Sequence, residues 1–145
     1  MTSWVCLDSG IVLKLALPES DSQQAIALWQ SIIISRQRPV APLLFPFEVT
    51  ATLRKRAYRG DINERYGAAA LQQLLSLPIE LLTFKNLHQQ AWHLATQLNR
   101  PTAYDAHYLA LAEHLSCEFW TADKRLYHAI QEKFSWIHHL DDFSG

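Results

Sequence analysis

Short apolar runs alternate with helix-patterned segments along this chain, and that alternation constrains the fold more than any other feature. The apolar runs are WVCLD (4–8), PVAP (39–42), IELLTF (79–84), EFWTA (118–122) and WIHHL (136–140). Strands that alternate with helices favour a parallel sheet, because parallel neighbours need a long crossover connection, usually a helix. We therefore predict an α/β/α sandwich with a central parallel sheet of about five strands. The strand order that we expect is 3-2-1-4-5.

The helix-patterned segments carry recognisable start and stop signals. Ser20 or Asp21 is predicted to cap SDSQQAIALWQSIII, with Ile33 among its core-facing residues. Gly60 is predicted to end LLFPFEVTATLRKRAYRG, and Asp61 to cap DINERYGAAALQQLLSL. Three further helices are predicted in NLHQQAWHLATQLN, TAYDAHYLALAEHL and KRLYHAIQEKF. A chain of 145 residues is about the size of one domain, so we predict a single domain over residues 1–145.

Composition excludes several classes of function. The formal net charge is -1, so there is no global basic field, and any contact with nucleic acid must come from a local patch. Cys6 and Cys117 show no metal-ligand spacing and are predicted to be reduced thiols. No run reaches the roughly 18 apolar residues that a membrane helix requires. We expect a cytoplasmic protein that has no membrane partner.

Four acidic residues stand where the predicted strands end or the adjoining helices begin. Asp8 ends the first strand, and Asp123 closely follows the fourth. Glu48 lies near the start of the helix after PVAP, and Asp105 lies in the first turn of the helix before the fourth strand. Function in open α/β sheets gathers beyond the carboxyl ends of the strands. We therefore expect these four side chains to share one edge of the sheet.

These acids have two interpretations. Each carboxylate could simply stabilise a helix N-terminus, which is worth roughly 0.3–1 kcal/mol, and Asp is also a good N-cap. Four acids on one edge would, however, repel one another without a counter-cation. Mg²⁺ or Mn²⁺ prefers carboxylate and water oxygens, and either ion could activate water against a phosphodiester. The pattern therefore favours a divalent-metal site for phosphoryl transfer.

Four motifs together resemble one family. LDSGIVLKLALPE, PLLFPFEVTATLRK, TAYDAHYLALAEHL and FWTADKRLYHAI occur in this order and are similar to PIN-domain ribonucleases, above all the VapC-type toxins of type II toxin–antitoxin pairs. The resemblance implies RNA cleavage that depends on Mg²⁺ or Mn²⁺. It places the catalytic and metal-binding acids at Asp8, Glu48, Asp105 and Asp123, with Asp8 and Asp123 as the first choice for direct ligands.

The same resemblance implies further features. Ser9 and Thr121 fall on positions that support the metal site, whereas Gly10 departs from the family, which often has Ser, Thr or Asn there. The implied partners are an RNA substrate, a cognate antitoxin whose basic segment enters the acidic pocket, and a second copy of the chain in a homodimer.

One basic stripe suggests a path for RNA. On a helix, Glu48, Thr52, Lys55 and Arg59 form a single row that leads away from the acids. Lys55 and Arg59 are therefore predicted to bind RNA phosphates. A solvated helix face is the alternative for this pair. Arg56 points elsewhere and is predicted to be ordinary surface charge.

Two rival functions remain. A phosphatase of the haloacid-dehalogenase type would be another magnesium-dependent enzyme, but it needs a second Asp two residues after Asp8, where Gly10 stands. A PIN-like module that only binds a partner is also possible, although all four acids are present. Among the histidines, His107 and His114 share a helix face well away from Asp105, so we predict surface or packing roles rather than a zinc site.

Overall fold

One five-stranded parallel sheet organises the protein. The computed structural model describes residues 3–145, and its strands follow the order β3-β2-β1-β4-β5. They are β1 (Trp4–Leu7), β2 (Arg38–Pro42), β3 (Glu80–Leu82), β4 (Glu118–Thr121) and β5 (Ile137–His139). The predicted number, direction and order of the strands are confirmed.

Helices connect successive strands and cover the sheet. They are α1 (Ser9–Leu13), α2 (Ser22–Ile34), α3 (Phe45–Tyr58), α4 (Glu64–Leu75), α5 (Leu87–Gln97), α6 (Tyr104–Leu115) and α7 (Lys124–Ile130), followed by a short 3-10 turn at Leu140–Asp142. The sequence prediction missed α1, because five residues are too few to display a helical period. Among the described residues, no helix has both the length and the apolar character needed to cross a membrane.

The ends of β1 and β4 meet at the centre of the carboxyl edge. Leu7 lies opposite Trp120 in the parallel ladder, and the backbone N–H of Asp8 donates to the Trp120 carbonyl at 3.0 Å. This hydrogen bond extends the pairing by one residue, so Asp8 stands beside Thr121 where the two strands finish. The sheet register therefore brings together two residues that are separated by most of the chain.

Three local predictions are wrong. Asn63, not Asp61, is the N-cap of α4, because its side chain accepts a hydrogen bond from the Tyr66 N–H at 2.7 Å. Ile33 is 43% exposed rather than part of the core. Arg56 is not ordinary surface charge, since its guanidinium pairs with Glu19 at 2.8 Å.

The cap before α2 also differs in kind from the prediction. Asp21 occupies the N-cap position, but its side chain makes no capping hydrogen bond. Its carboxylate instead pairs with Lys14 at 2.9 Å, and Glu19 pairs with the same ammonium group at 2.6 Å. These ion pairs join the C-terminal end of α1 to the segment directly before α2. Both cysteines are free thiols, as predicted.

The corrected cap of α4 can be tested by substitution. Asn63→Ala should lower the free energy of unfolding by about 0.5–2 kcal/mol, because the Tyr66 N–H loses its acceptor. Asp61→Ala should change it by less than about 0.5 kcal/mol, as is usual for an exposed surface residue. Urea denaturation of both variants checks this, and a larger loss for Asp61→Ala would restore the original assignment.

Candidate active site

Asp8 is held by donors from both neighbouring segments. It is the N-cap of α1, and its Oδ1 accepts from the Gly10 N–H at 3.4 Å. Its Oδ2 accepts from the Thr121 hydroxyl at 2.7 Å, and the Ser9 hydroxyl lies 3.5 Å from Oδ1. The carboxylate thus has a fixed orientation at the mouth of the sheet. Gly10, which departs from the family pattern, contributes through its backbone.

Thr121 links two of the candidate acids. Its side chain is buried at the end of β4, where its hydroxyl donates to Asp8 and accepts from the Asp123 N–H at 3.0 Å. A hydroxyl has one hydrogen to donate and lone pairs to accept, so this arrangement uses it in both directions. Thr121 therefore orients the Asp8 side chain and the Asp123 backbone together.

Asp123 is the N-cap of α7. Its Oδ1 accepts from the N–H groups of Arg125 and Leu126, at 2.9 and 3.1 Å. The apolar segment EFWTAD therefore ends on Asp because the next helix needs a cap. The residue is exposed, so the capping role leaves its carboxylate open to solvent.

Glu48 has a buried tyrosine as its partner. It lies in the first turn of α3 and is half-buried, and its Oε1 accepts from the Tyr108 hydroxyl at 2.6 Å. From the sequence, we expected a cation to offset the charge of Glu48, and Tyr108 was not identified as a partner. A signal was present, because Tyr108 follows Asp105 by three residues and must share its face of α6.

Asp105 forms an ion pair with a residue in the loop before α6. The Arg100 guanidinium lies 3.6 Å from its Oδ2, with both side chains partly exposed. Sequence reasoning did not assign Arg100, because nothing in the local pattern indicates that the loop folds back on the helix. A guanidinium therefore already lies at the rim of the acidic pocket.

The four acids lie within electrostatic reach of one another. Burial raises the pKa of Asp8 to about 6, the Thr121 hydrogen bond opposes this, and the charges of Asp105 and Glu48 raise it further. Burial also raises the pKa of Glu48, against the Tyr108 hydrogen bond, and the Asp105 charge adds to the increase. These carboxylates therefore form a region of concentrated negative charge.

Asp105 also interacts electrostatically with Asp123, the last of the four acids. Burial raises its pKa, the Arg100 charge lowers it, and the charge of Asp123 raises it again. The structure thus brings all four predicted acids to one edge, although they come from four different segments. We call this set, Asp8, Glu48, Asp105 and Asp123, the acidic cluster.

The donor chemistry of the acidic cluster fits a hard divalent cation. Carboxylate oxygens are the ligands that Mg²⁺ and Mn²⁺ prefer, and a cation would relieve the repulsion that raises these pKa values. Within residues 3–145, however, no three acidic, histidine or cysteine side chains are close enough together to form a coordination site. Binding an ion would therefore require the carboxylates to draw closer.

The two residues predicted to bind RNA lie at the C-terminal end of α3, Lys55 in the last turn and Arg59 directly after it. Lys55 and Arg59 are both exposed and follow Glu48 along the helix, about 10 and 16 Å away in helical rise. Within the described part of the chain, neither forms an ion pair. His107, in contrast, has local partners: its ring contacts the Ala103 carbonyl at 2.6 Å and His88 at 2.9 Å.

Comparison with known proteins assigns the family. The family model of the PIN domain matches residues 5–132. Ribonuclease VapC9 of Mycobacterium tuberculosis is 31% identical over 122 residues, which cover 84% of this chain and 87% of that protein. The chain belongs to the PIN-domain family, in its VapC type.

Solved structures support the same fold. The PIN domain described here resembles the crystal structure of PAE2754 from Pyrobaculum aerophilum, with a TM-score of 0.69 and 19% identity over 97% of this chain and 90% of the other. It also resembles VapC20 of Mycobacterium tuberculosis, described as a toxin that cleaves the sarcin-ricin loop, with a TM-score of 0.66 and 17% identity over 87% and 95% of the two chains. PIN-domain ribonucleases in general depend on divalent metal ions.

The raised pKa of Asp8 predicts a stability that depends on pH. The pKa of Asp8 is about 6 in the folded state and 3.8 in the unfolded reference. Between these pH values, Asp8 is therefore protonated more often in the folded protein than in the unfolded chain. The charged group therefore destabilises the fold above about pH 6, and this penalty disappears below about pH 4. Asp8→Asn keeps a capping side chain and removes the charge.

In chelator at pH 7, Asp8→Asn should be more stable than wild type by on the order of 1–3 kcal/mol, and near pH 3.5 the two should converge. Denaturant unfolding at both pH values measures the difference, with Asp61→Asn as a control for a carboxylate outside the pocket. If the free energy of unfolding of Asp8→Asn exceeded that of wild type by the same amount at both pH values, the charge of Asp8 would not be the cause of the difference.

Proposed function

We propose that this protein is a metal-dependent endoribonuclease, the toxin of a VapC-type toxin–antitoxin pair, and that the acidic cluster is its active site. One observation carries the proposal: four carboxylates from separate segments meet at the carboxyl edge of a parallel sheet, where burial and the neighbouring negative charges raise the pKa values of Asp8, Glu48 and Asp105. Repulsion of this kind destabilises a fold unless a cation relieves it. Relatives of this chain are named as ribonucleases, which indicates the class of substrate.

Each member of the acidic cluster has a role in this proposal. Asp8 and Asp123 bind Mg²⁺ or Mn²⁺ directly, while Glu48 and Asp105 complete the ligand set or bind through water. A bound divalent ion supplies two things to RNA hydrolysis: it lowers the pKa of water, and it neutralises the charge that develops on the phosphodiester. Thr121 holds the Asp8 carboxylate in place through its 2.7 Å hydrogen bond. Ser9 supports the same carboxylate more weakly.

Basic residues near the acidic cluster would bind the RNA backbone. Lys55 and Arg59 extend from Glu48 along α3 as an exposed cationic row. Because the net charge of the whole chain is only -1, such a local row must supply the attraction for phosphates. Arg100, 3.6 Å from Asp105, adds another cation beside the acidic cluster.

The pocket also suits the proposed antitoxin partner. An arginine from a basic antitoxin segment could replace the metal as counter-charge by forming bidentate contacts with the carboxylates. The Arg100–Asp105 pair supports this chemistry, because it is already a guanidinium–carboxylate contact in the same pocket. A homodimer completes the proposal, and the exposed apolar side chains of Phe47 and Tyr104 offer surface for a protein contact.

Asp105→Asn tests the acidic cluster as the active site. Cleavage of a mixed RNA pool with Mn²⁺ should fall by about 10² or more, since the substitution keeps the shape and removes a charge from the cation site. Asp61→Asn, which changes an exposed acid outside the pocket, should cleave as wild type does. Wild-type rates in purified, folded Asp105→Asn would instead favour a module that only binds a partner.

The basic row of α3 is tested by changing Lys55 and Arg59 together to Gln. RNA binding should weaken, and the slope of log K against log salt should become shallower by about 1.4–1.8, since two fewer counterions are released. Fluorescence anisotropy with single-stranded RNA at several salt concentrations measures this slope. Arg65 and Lys133, both exposed, provide a matched double change to Gln. An equal effect from the control pair would show that Lys55 and Arg59 are ordinary solvated surface charges with no particular role in binding RNA.

A further inference from the structure

We propose that Tyr108 is a positioning residue of the active site: its hydroxyl holds the Glu48 carboxylate in the orientation that binds metal. This inference rests on the proposed function of the acidic cluster. Tyr108 does not face the pocket as a ligand. It acts through Glu48, by donating a hydrogen bond to one oxygen of the carboxylate.

The hydrogen bond between the two residues is short and specific. The Tyr108 hydroxyl donates to Glu48 Oε1 at 2.6 Å, a distance typical of an O–H donor on an ionised carboxylate. Such bonds are about twice as strong as those between neutral groups. A carboxylate has two oxygens, so the bond to Oε1 restrains the side chain and leaves Oε2 free of Tyr108.

The core holds the hydroxyl rigidly. Tyr108 is 1% exposed, and its ring packs against Phe119 of β4 with the ring centroids 6.2 Å apart. The Cys6 thiol of β1 contacts the Tyr108 carbonyl at 3.7 Å. The ring is thus fixed between α6 and the centre of the sheet. Close packing of this kind lets a side chain position a ligand from behind.

A single helix serves two members of the acidic cluster. Tyr108 follows Asp105 by three residues on α6, so both side chains lie on the same face. Asp105 enters the acidic cluster itself, while Tyr108 reaches across to Glu48 on α3, 60 residues away in the chain. The position of α6 therefore sets the separation between Glu48 and Asp105.

Packing alone does not account for a tyrosine at this position. A phenylalanine would fill the same volume and would bring no buried polar atom that needs a partner. The hydroxyl reaches a half-buried carboxylate whose other neighbours include the negative charge of Asp105 and the Ser9 hydroxyl. Metal ligands are commonly oriented by such hydrogen-bond partners, whose loss costs about 10- to 100-fold in metal affinity or activity.

Tyr108→Phe tests the inference, because it removes one oxygen atom and keeps the ring. The dissociation constant for Mn²⁺, measured by titration of the chelator-treated full chain, should rise about 10- to 100-fold, and kcat for RNA should fall by a similar factor. KM for RNA should change little. Tyr66→Phe is the matched control: it also removes a hydroxyl that bonds within the protein, to the Ala16 carbonyl, and should leave Mn²⁺ binding unchanged.

A double-mutant cycle with Glu48→Gln shows whether Tyr108 acts through Glu48. If it does, adding Tyr108→Phe to Glu48→Gln should weaken Mn²⁺ binding by less than about threefold, far less than in the wild-type background. Additive losses, or a Tyr108→Phe variant with the Mn²⁺ affinity of wild type, would overturn the inference. The Mn²⁺ titration needs no RNA cleavage, so an inactive wild-type protein would contradict the proposed function while the role of Tyr108 was still measured.

Discussion

Partial burial of carboxylates that lie close to one another is the constraint on which the rest of the acidic cluster depends. Burial raises the pKa of Asp8 to about 6, and the neighbouring charges add to that rise. The protein does not remove this charge. It surrounds the charge with oriented donors instead: the Thr121 hydroxyl for Asp8, the Tyr108 hydroxyl for Glu48 and the Arg100 guanidinium for Asp105. These donors hold the carboxylates in place, yet they leave the cluster strongly attractive to an added cation.

The parallel sheet is the reason that the acids meet. Every strand of such a sheet ends at the same edge, and every following helix begins there, so side chains from distant segments converge. Asp8 and Asp123 illustrate this convergence, because each follows a strand and caps the next helix. A residue in that position contributes to helix stability and to the acidic cluster at once. The two interpretations of Asp123, cap and metal ligand, are therefore compatible.

Stability and activity have opposite requirements in this pocket. Replacing an acid by its amide relieves repulsion in the metal-free protein, but it also removes a group that would bind the cation. The binding of an ion to the folded state alone then stabilises the fold by an amount that rises with the logarithm of the ion concentration once this exceeds the dissociation constant. A partner that inserts a guanidinium would have a similar effect. This is a physical reason for such a protein to bind a basic segment tightly.

Several features could be predicted from sequence, and others could not. The strands and their parallel direction follow from apolar runs that alternate with helices, the placement of the four acids follows from their positions beside these elements, and the expected strand order matches the structure. Helix α1 was missed because it is short, and the cap of α4 was misplaced because Asp61 and Asn63 are both good capping residues. The ion pair between Arg56 and Glu19 joins positions 37 residues apart. No local pattern indicates such a contact.

The sequence by itself determined which residues can form strands and helices and which carboxylates can reach the carboxyl edge, because these depend on periodicity and on neighbours along the chain. Only the tertiary structure decided which donor faces each carboxylate. Thr121 and Asp8 are 113 residues apart, and Tyr108 and Glu48 are 60 apart. A hydrogen bond requires its two atoms to lie within about 3 Å, and only the packed sheet and helices bring such distant residues to that separation.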